Sequence, residues 1–186
     1  MSAADQSGRQ PVRWSLWLPL GLFGLFMALV AWGLLRPAGN TIPSRFVGQP
    51  VPEFDLRAGS DDRPGLKRAD LADGKPRLLN IFASWCIPCA AEAPQLEQLA
   101  ASGVEIAGVA VRDRKEDLAG FLARYGNPYA RIGADDLSKV QLAIGSSGVP
   151  ETFVVDGKGV IRYQHIGDIR AEDVPMILEK LRETAQ

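Results

Sequence analysis

The sequence predicts an α/β fold, a central mixed β-sheet flanked by helices, preceded by an N-terminal transmembrane helix. Three observations carry this. The stretch from Ser15 to Leu35 is apolar and holds no charged residue. Farther on, a largely apolar run, Leu78 to Ala83, passes through Cys86 into a helical segment and then into a second apolar run, Val104 to Val111. That is a βαβ unit, which implies a parallel strand pair with a right-handed crossover. Finally, Thr152 to Val155 and Val160 to Tyr163 flank the turn residues Asp156-Gly-Lys-Gly159, and a helix with Val174, Ile177, Leu178 and Leu181 on one face closes the chain.

Ser15 to Leu35 would reach about 30 Å as a helix, enough for a hydrocarbon core. Trp14, Trp17 and Trp32 lie towards its ends, as interfacial anchors do, and Arg9 and Arg13 precede it while only Arg36 follows closely, a bias that favours an inside N-terminus. A cleaved signal peptide fits less well, because the run exceeds a usual h-region and no Ala-x-Ala site follows. A buried soluble helix is disfavoured by an apolar circumference. The expected organisation is an arm over residues 1–14, an anchor over 15–35, a Pro- and Gly-rich linker over 36–50 and one domain over 51–186. The 186 residues carry a formal net charge of −1 and are 46% hydrophobic, which gives no argument for nucleic-acid binding and leaves enough chain for one full core.

In the domain, Phe54 and Leu56 alternate with Asp55 as a short strand, and surface turns flank Leu66 to Leu71. The helix after Cys86 should be bent or interrupted at Pro94 and end at Gly103. Asp113, with Glu116 three residues on, resembles a capping box for a helix carrying Leu118, Phe121, Leu122 and Tyr125. Tyr129 to Ile132 is expected as a short strand, and Asp135 or Asp136 as the cap of a small helix carrying Leu137, Val140 and Ile144.

Both cysteines lie in Asn80-Ile-Phe-Ala-Ser-Trp-Cys-Ile-Pro-Cys-Ala-Ala-Glu-Ala-Pro94. Cys86 falls where strand gives way to helix, and a helix N-terminus offers unpaired N–H groups and a positive dipole end that favour thiolate over thiol. The thiolate is the attacking species in disulfide exchange, so Cys86 is the candidate nucleophile and Cys89, one turn later, the resolving thiol. Pro88 is tolerated in a first turn, where its missing N–H has no helical partner. Half a zinc site is a poor alternative, since a structural site needs four ligands and the sole further soft candidate is His165. An inert buried pair and a Cu(I) chaperone using two soft ligands remain as rivals.

Phe82-Ala-Ser-Trp-Cys-Ile-Pro-Cys89 resembles the active-site segment of thioredoxin-fold proteins, and Gly148-Val-Pro-Glu-Thr-Phe153 is similar to the signature of the CcmG/DsbE thiol:disulfide interchange proteins of cytochrome c maturation. The resemblance implies a thioredoxin-like fold with a cis Val149-Pro150 bond lying against the cysteine pair, the Val149 backbone being left open for strand addition by a substrate. It implies catalytic Cys86 and Cys89, with Trp85, Pro88, Glu92, Val149, Pro150 and Glu151 in support, and no bound cofactor or metal. Glu92 and Glu151 are expected near the thiols, where a carboxylate opposes thiolate formation and, once protonated, can supply a proton to a departing sulfur; ordinary surface glutamates are the alternative. The sequence departs from the family's pattern in Ser146-Ser147 between Gly145 and Gly148, which bears on partner selectivity, and in Phe82 where tryptophan is common, a change expected to leave the thiol chemistry untouched.

The function so implied is that of an inner-membrane, single-pass oxidoreductase with its domain in the periplasm. It would reduce the heme-binding Cys-X-X-Cys-His disulfide of apocytochrome c, work with cytochrome c maturation proteins and be recharged by a membrane thiol reductant of the CcdA/DsbD type. A general TlpA-like reductase is the nearest alternative. His165 is expected on the last strand as a structural or surface residue.

Overall fold

A computed structural model describes residues 14–35 and 46–184, with side chains of the N-terminal helix described over 17–33. The expected arm, apart from Trp14, and most of the expected linker lie outside the described residues. Two units are distinguished, Met1–Ile42 and Pro43–Gln186. In the first, α1 (Trp14–Leu35) is a continuous helix of 22 residues that includes Pro19. No helix among the fully described residues is long and apolar enough to cross a membrane. The backbone helix itself runs beyond those side chains, about 33 Å at 1.5 Å per residue.

The second unit is built on five strands in the order β5-β4-β3-β6-β7. These are β3 (Arg77–Phe82), β4 (Ile106–Val111), β5 (Arg131–Asp135), β6 (Glu151–Val155) and β7 (Ile161–Ile166). The β3-β4 and β4-β5 pairs are parallel, and β3-β6 and β6-β7 antiparallel, so the sheet is mixed as expected. Every residue of β3 and β4 is buried, which is why these strands read as continuous apolar runs: both sheet faces are covered. Leu78 and Phe82 enter the cluster formed with α2 (Ile87–Ala101), α3 (Lys115–Tyr125) and α5 (Val174–Thr184). Leu79 and Ile81 enter the opposite cluster with Val51, Leu66, Leu71 and Ile144. A small ladder of β1 (Asp55–Leu56) and β2 (Leu66–Lys67), a 3-10 turn at Arg68–Leu71 and the short α4 (Lys139–Ala143) complete the unit.

Several local expectations change. α2 is not interrupted at Pro94, one of the two outcomes expected there; the missing donor is outweighed by the burial of Ala93, Leu96 and Leu99 on either side of it. Asp113 does not cap α3: Arg114 occupies the N-cap position with no capping bond from its side chain, and Asp113 is drawn instead to the two donors of Ser84. Asp135 ends β5 rather than opening a helix, yet its carboxylate accepts from the backbone N–H groups of Lys139 and Gln141, 2.8 and 2.9 Å away, and so caps α4 from the strand. Leu137 is 66% exposed and takes no part in the core. The hairpin turn holds as expected, with Asp156 Oδ1 accepting from Lys158 N–H and Val160 N–H and Gly159 at φ 76°.

Candidate functional site

The buried strand β3 ends at Phe82, and Ala83-Ser84-Trp85 carry the chain over the sheet edge to Cys86. Cys86 is the N-cap of α2, with extended backbone angles and Pro88 in the first turn behind it. The Cys89 N–H donates to Cys86 Sγ at 3.1 Å, so one of the orphan amides of the helix start is aimed at this sulfur. Cys86 and Cys89 are joined as a disulfide across one turn, their Cα atoms 5.3 Å apart. Cys89 is 2% exposed and Cys86 5%, while the flanking Trp85 and Ile87 are 59% and 84% exposed. Two exposed apolar side chains thus flank the buried Cys86 in sequence.

The register of β6 against β3 pairs Ile81 with Glu151, so Val149 and Pro150 fall beside the end of β3 from which the cysteine segment departs. The Val149–Pro150 bond is cis, and Val149, half-buried, packs on the cluster that holds both cysteines. Pro150 O accepts from Gly167 N–H at 3.1 Å, which ties this turn to the loop before α5.

Glu92 lies three residues after Cys89, on the same buried side of α2. Its Oε1 accepts from Asn80 Nδ2 at 3.0 Å and its Oε2 from Ile169 N–H at 3.1 Å. Burial pushes its carboxyl up to about 7 despite the two donors, and Asp168 adds repulsion. Asn80 also donates to Thr152 Oγ1 at 3.0 Å and accepts from the Tyr129 hydroxyl at 2.8 Å. A polar network of Glu92, Asn80, Tyr129 and Thr152 is thus enclosed beneath the cysteine helix.

Glu151 is equally buried but serves another face. Its neighbours Phe153 and Val155 point into the cluster opposite α2, and alternation along β6 puts Glu151 on that side. Its carboxylate accepts from Ser147 N–H at 2.9 Å, from the Ser147 hydroxyl, and from Gln164 Nε2 at 2.9 Å. It anchors the Gly145–Gly148 turn ahead of the cis-proline. The two acids expected near the thiols thus part, Glu92 to the α2 face of the sheet and Glu151 to the opposite one, and neither is a surface carboxylate. His165 lies half-buried on β7, with Nε2 3.2 Å from Asp168 O.

Three residues escaped the sequence reading. Asp113 looked like a helix cap. Asn80 carried a usable signal, a polar residue in the middle of a strand apolar on both faces, where burial demands partners. Tyr129 had none, because only the fold brings it to Asn80.

A family described as Redoxin matches residues 46–181. The chain is 40% identical over 182 residues to the thiol:disulfide interchange protein DsbE of Escherichia coli K12, covering 92% of this chain and 97% of that one. It is 40% identical over 159 residues to the thiol:disulfide interchange protein HelX of Rhodobacter capsulatus, covering 86% and 89%. Among solved structures, a DsbE-type protein of Chlorobium tepidum superposes with a TM-score of 0.65 at 24% identity, covering 75% of this chain and 98% of that one.

Proposed function

Because the chain belongs to the redoxin family, within the DsbE and HelX thiol:disulfide interchange proteins, and is thus a thiol:disulfide oxidoreductase, we propose that its client is apocytochrome c. The reaction proposed is reduction of the disulfide of the heme-binding Cys-X-X-Cys-His motif before heme attachment. The observation that carries this reading is Cys86 at the N-cap of α2 with the cis Val149-Pro150 segment beside the strand that leads to it. The similarity of Gly148-Val-Pro-Glu-Thr-Phe153 to the cytochrome c maturation branch supports the choice of client.

In the dithiol form, the Cys86 thiolate attacks one sulfur of the client disulfide; a Cys86–client bond forms, the client bond breaks, and the other client sulfur leaves as a thiolate that takes up a proton. Cys89, deprotonated, then attacks Cys86 Sγ. The intramolecular disulfide seen in the structure forms, and the second client sulfur departs and is protonated. The client gains two electrons and two protons, and the protein loses them to be restored by a membrane thiol donor. Glu92, buried one turn below Cys89 and titrating near neutrality, is suited to take the Cys89 proton as that thiol attacks. Trp85 and Ile87 supply an apolar contact around the entering client, and Val149 offers backbone for pairing. The α1 helix anchors the chain in the inner membrane with the domain in the periplasm, where cytochrome c maturation proteins supply its clients.

The test is a trap. With Cys89→Ser the mixed disulfide has no resolving thiol and persists. Mass spectrometry of the adducts should find apocytochromes c bonded through a cysteine of the heme-binding motif. A broad set of periplasmic proteins would replace this reading with a general reductase, and the absence of any adduct would count against exchange altogether.

A further inference from the structure

A single amide joins the buried polar network beneath Cys89. Asn80, at the middle of β3, is opposite Gly108 on β4 and Thr152 on β6. Its amide makes three hydrogen bonds: Nδ2 donates to Glu92 Oε1 and Thr152 Oγ1, and Oδ1 accepts from Tyr129. The Tyr129 ring has a slot made for it. It stacks on Phe82 with ring centroids 4.5 Å apart and planes 19° apart. A Cβ on Gly108 would stand 2.9 Å from both rings, so only glycine at this place in β4 leaves room for the stack.

An amide side chain can present either its oxygen or its N–H groups to a neighbour, and its partners decide which. With the Asn80 amide turned over, Oδ1 would face the Glu92 carboxylate, oxygen against oxygen, and disfavour the ionised form. The Thr152 hydroxyl does not select between the two orientations, since it can accept or donate. Tyr129 does select. Its hydroxyl is fully enclosed, and among the described residues Asn80 Oδ1 is the acceptor recorded for its proton, so a turned amide would leave a buried O–H unpaired.

We propose that Tyr129 is a positioning residue of the exchange reaction: by donating to Asn80 Oδ1 it keeps the Asn80 N–H directed at Glu92 and so sets the pH at which that carboxyl gives up its proton beneath Cys89. This role rests on the thiol exchange and the Glu92 proton transfer given under the proposed function. Among the described residues, the groups that act on Glu92 are Asn80 from β3 and Asp168 and the Ile169 N–H from the loop before α5; Cys89 shares its buried helix side, and Tyr129 interacts with it from beyond Asn80. Asp168 adds negative charge to the surroundings of Glu92, which makes the two donors the groups that favour ionisation. Phe82 then acts on the chemistry at one remove, by stacking on Tyr129.

The experiment uses the full chain in detergent micelles. Tyr129→Phe keeps the ring and its stack and removes the donor alone. In the oxidised protein the Glu92 carboxyl carbon, followed by carbon-13 NMR, should titrate about one pH unit higher in the variant. Thr152→Val, which removes a partner that does not select the amide orientation at nearly constant volume, should leave the midpoint near the parent's. With oxidised glutathione as the disulfide, the pH profile of the Cys89 resolution step should shift with the carboxyl in Tyr129→Phe and not in Tyr129→Phe combined with Glu92→Gln. A Glu92 midpoint unchanged by Tyr129→Phe overturns the proposal, as does an equal profile shift in the Glu92→Gln background, which would mark a merely structural effect. Neither measurement involves a cytochrome, so loss of the client assignment would be seen separately, in the trapping experiment.

Discussion

Asp113 holds Ser84 by both of its donors: Oδ2 accepts the Ser84 backbone N–H at 2.6 Å and Oδ1 accepts its hydroxyl. β4 ends at Val111, and Arg112, in the left-handed region at φ 49°, turns the chain so that the next residue meets the segment entering the cysteine helix. The loop after β4 thereby fixes the approach to Trp85 and Cys86. Asp113→Ala leaves two donors without that acceptor and is expected to cost about 1–3 kcal/mol of stability and to slow disulfide exchange. Urea unfolding and glutathione exchange kinetics measure both, and a variant with parental stability and rate would show the latch to be idle.

Cys86 should be the thiol that reacts first. It caps α2 and receives the Cys89 N–H at 3.1 Å. Reduced full-length protein given limiting iodoacetamide should carry the label on Cys86 at least tenfold faster than on Cys89, a factor that corresponds to about 1.4 kcal/mol. Peptide mapping reads this out, and equal labelling would reverse the assigned roles.

Glu92 makes stability pH-dependent with a definite sign. Below pH 4.5 its carboxyl is protonated in the folded and the unfolded chain alike. As the pH rises from 4.5 towards about 7, the unfolded chain releases this proton while the folded chain keeps it, so stability falls, and above about 7 the loss levels off. The interval corresponds to at most roughly 3 kcal/mol. In Glu92→Gln this fall is removed, so the variant should gain on the parent between pH 4 and pH 8 when the oxidised proteins are unfolded in urea. Parallel pH profiles would refute it.

The two buried acids should separate in their effect on the nucleophile. Glu92 shares the helix face of Cys89, so Glu92→Gln should lower the pH at which Cys86 becomes a thiolate, followed by thiolate absorbance. Glu151 lies on the opposite sheet face and holds Ser147 and Gln164, so Glu151→Gln should leave that titration in place while destabilising the turn before Pro150 by about 1 kcal/mol. A thiolate midpoint moved equally by both substitutions would contradict the two-sided arrangement.

The anchor is checked by fractionation. The 22-residue α1, uncharged from Ser15 to Leu35, should keep the full-length protein in membranes through alkaline carbonate washing. Release of the intact chain into the wash would exclude an integral span.

What the sequence determined by itself was whatever is encoded over short range. The runs Leu78 to Ala83 and Val104 to Val111 specify central strands because burial on both faces demands unbroken apolar character. Asp156 to Gly159 specify a turn through local hydrogen bonds, and Cys86-Ile-Pro-Cys89 specifies a helix start with two sulfurs one turn apart.

What only the tertiary structure decided was where long-range partners override local preference. Asp113 has the spacing of a capping box, yet two donors of Ser84, brought close by the parallel pairing of β3 and β4, hold it instead. Glu92 and Glu151 look alike in sequence, but helix periodicity puts one beneath Cys89 and strand alternation puts the other behind the sheet. Asn80 and Tyr129 are 49 residues apart, and their hydrogen bond exists because β5 adds beside β4 and Gly108 leaves the space for the ring. A side chain's charge and burial depend on neighbours supplied by other elements, so the proton chemistry of this site could be read only once the sheet was assembled.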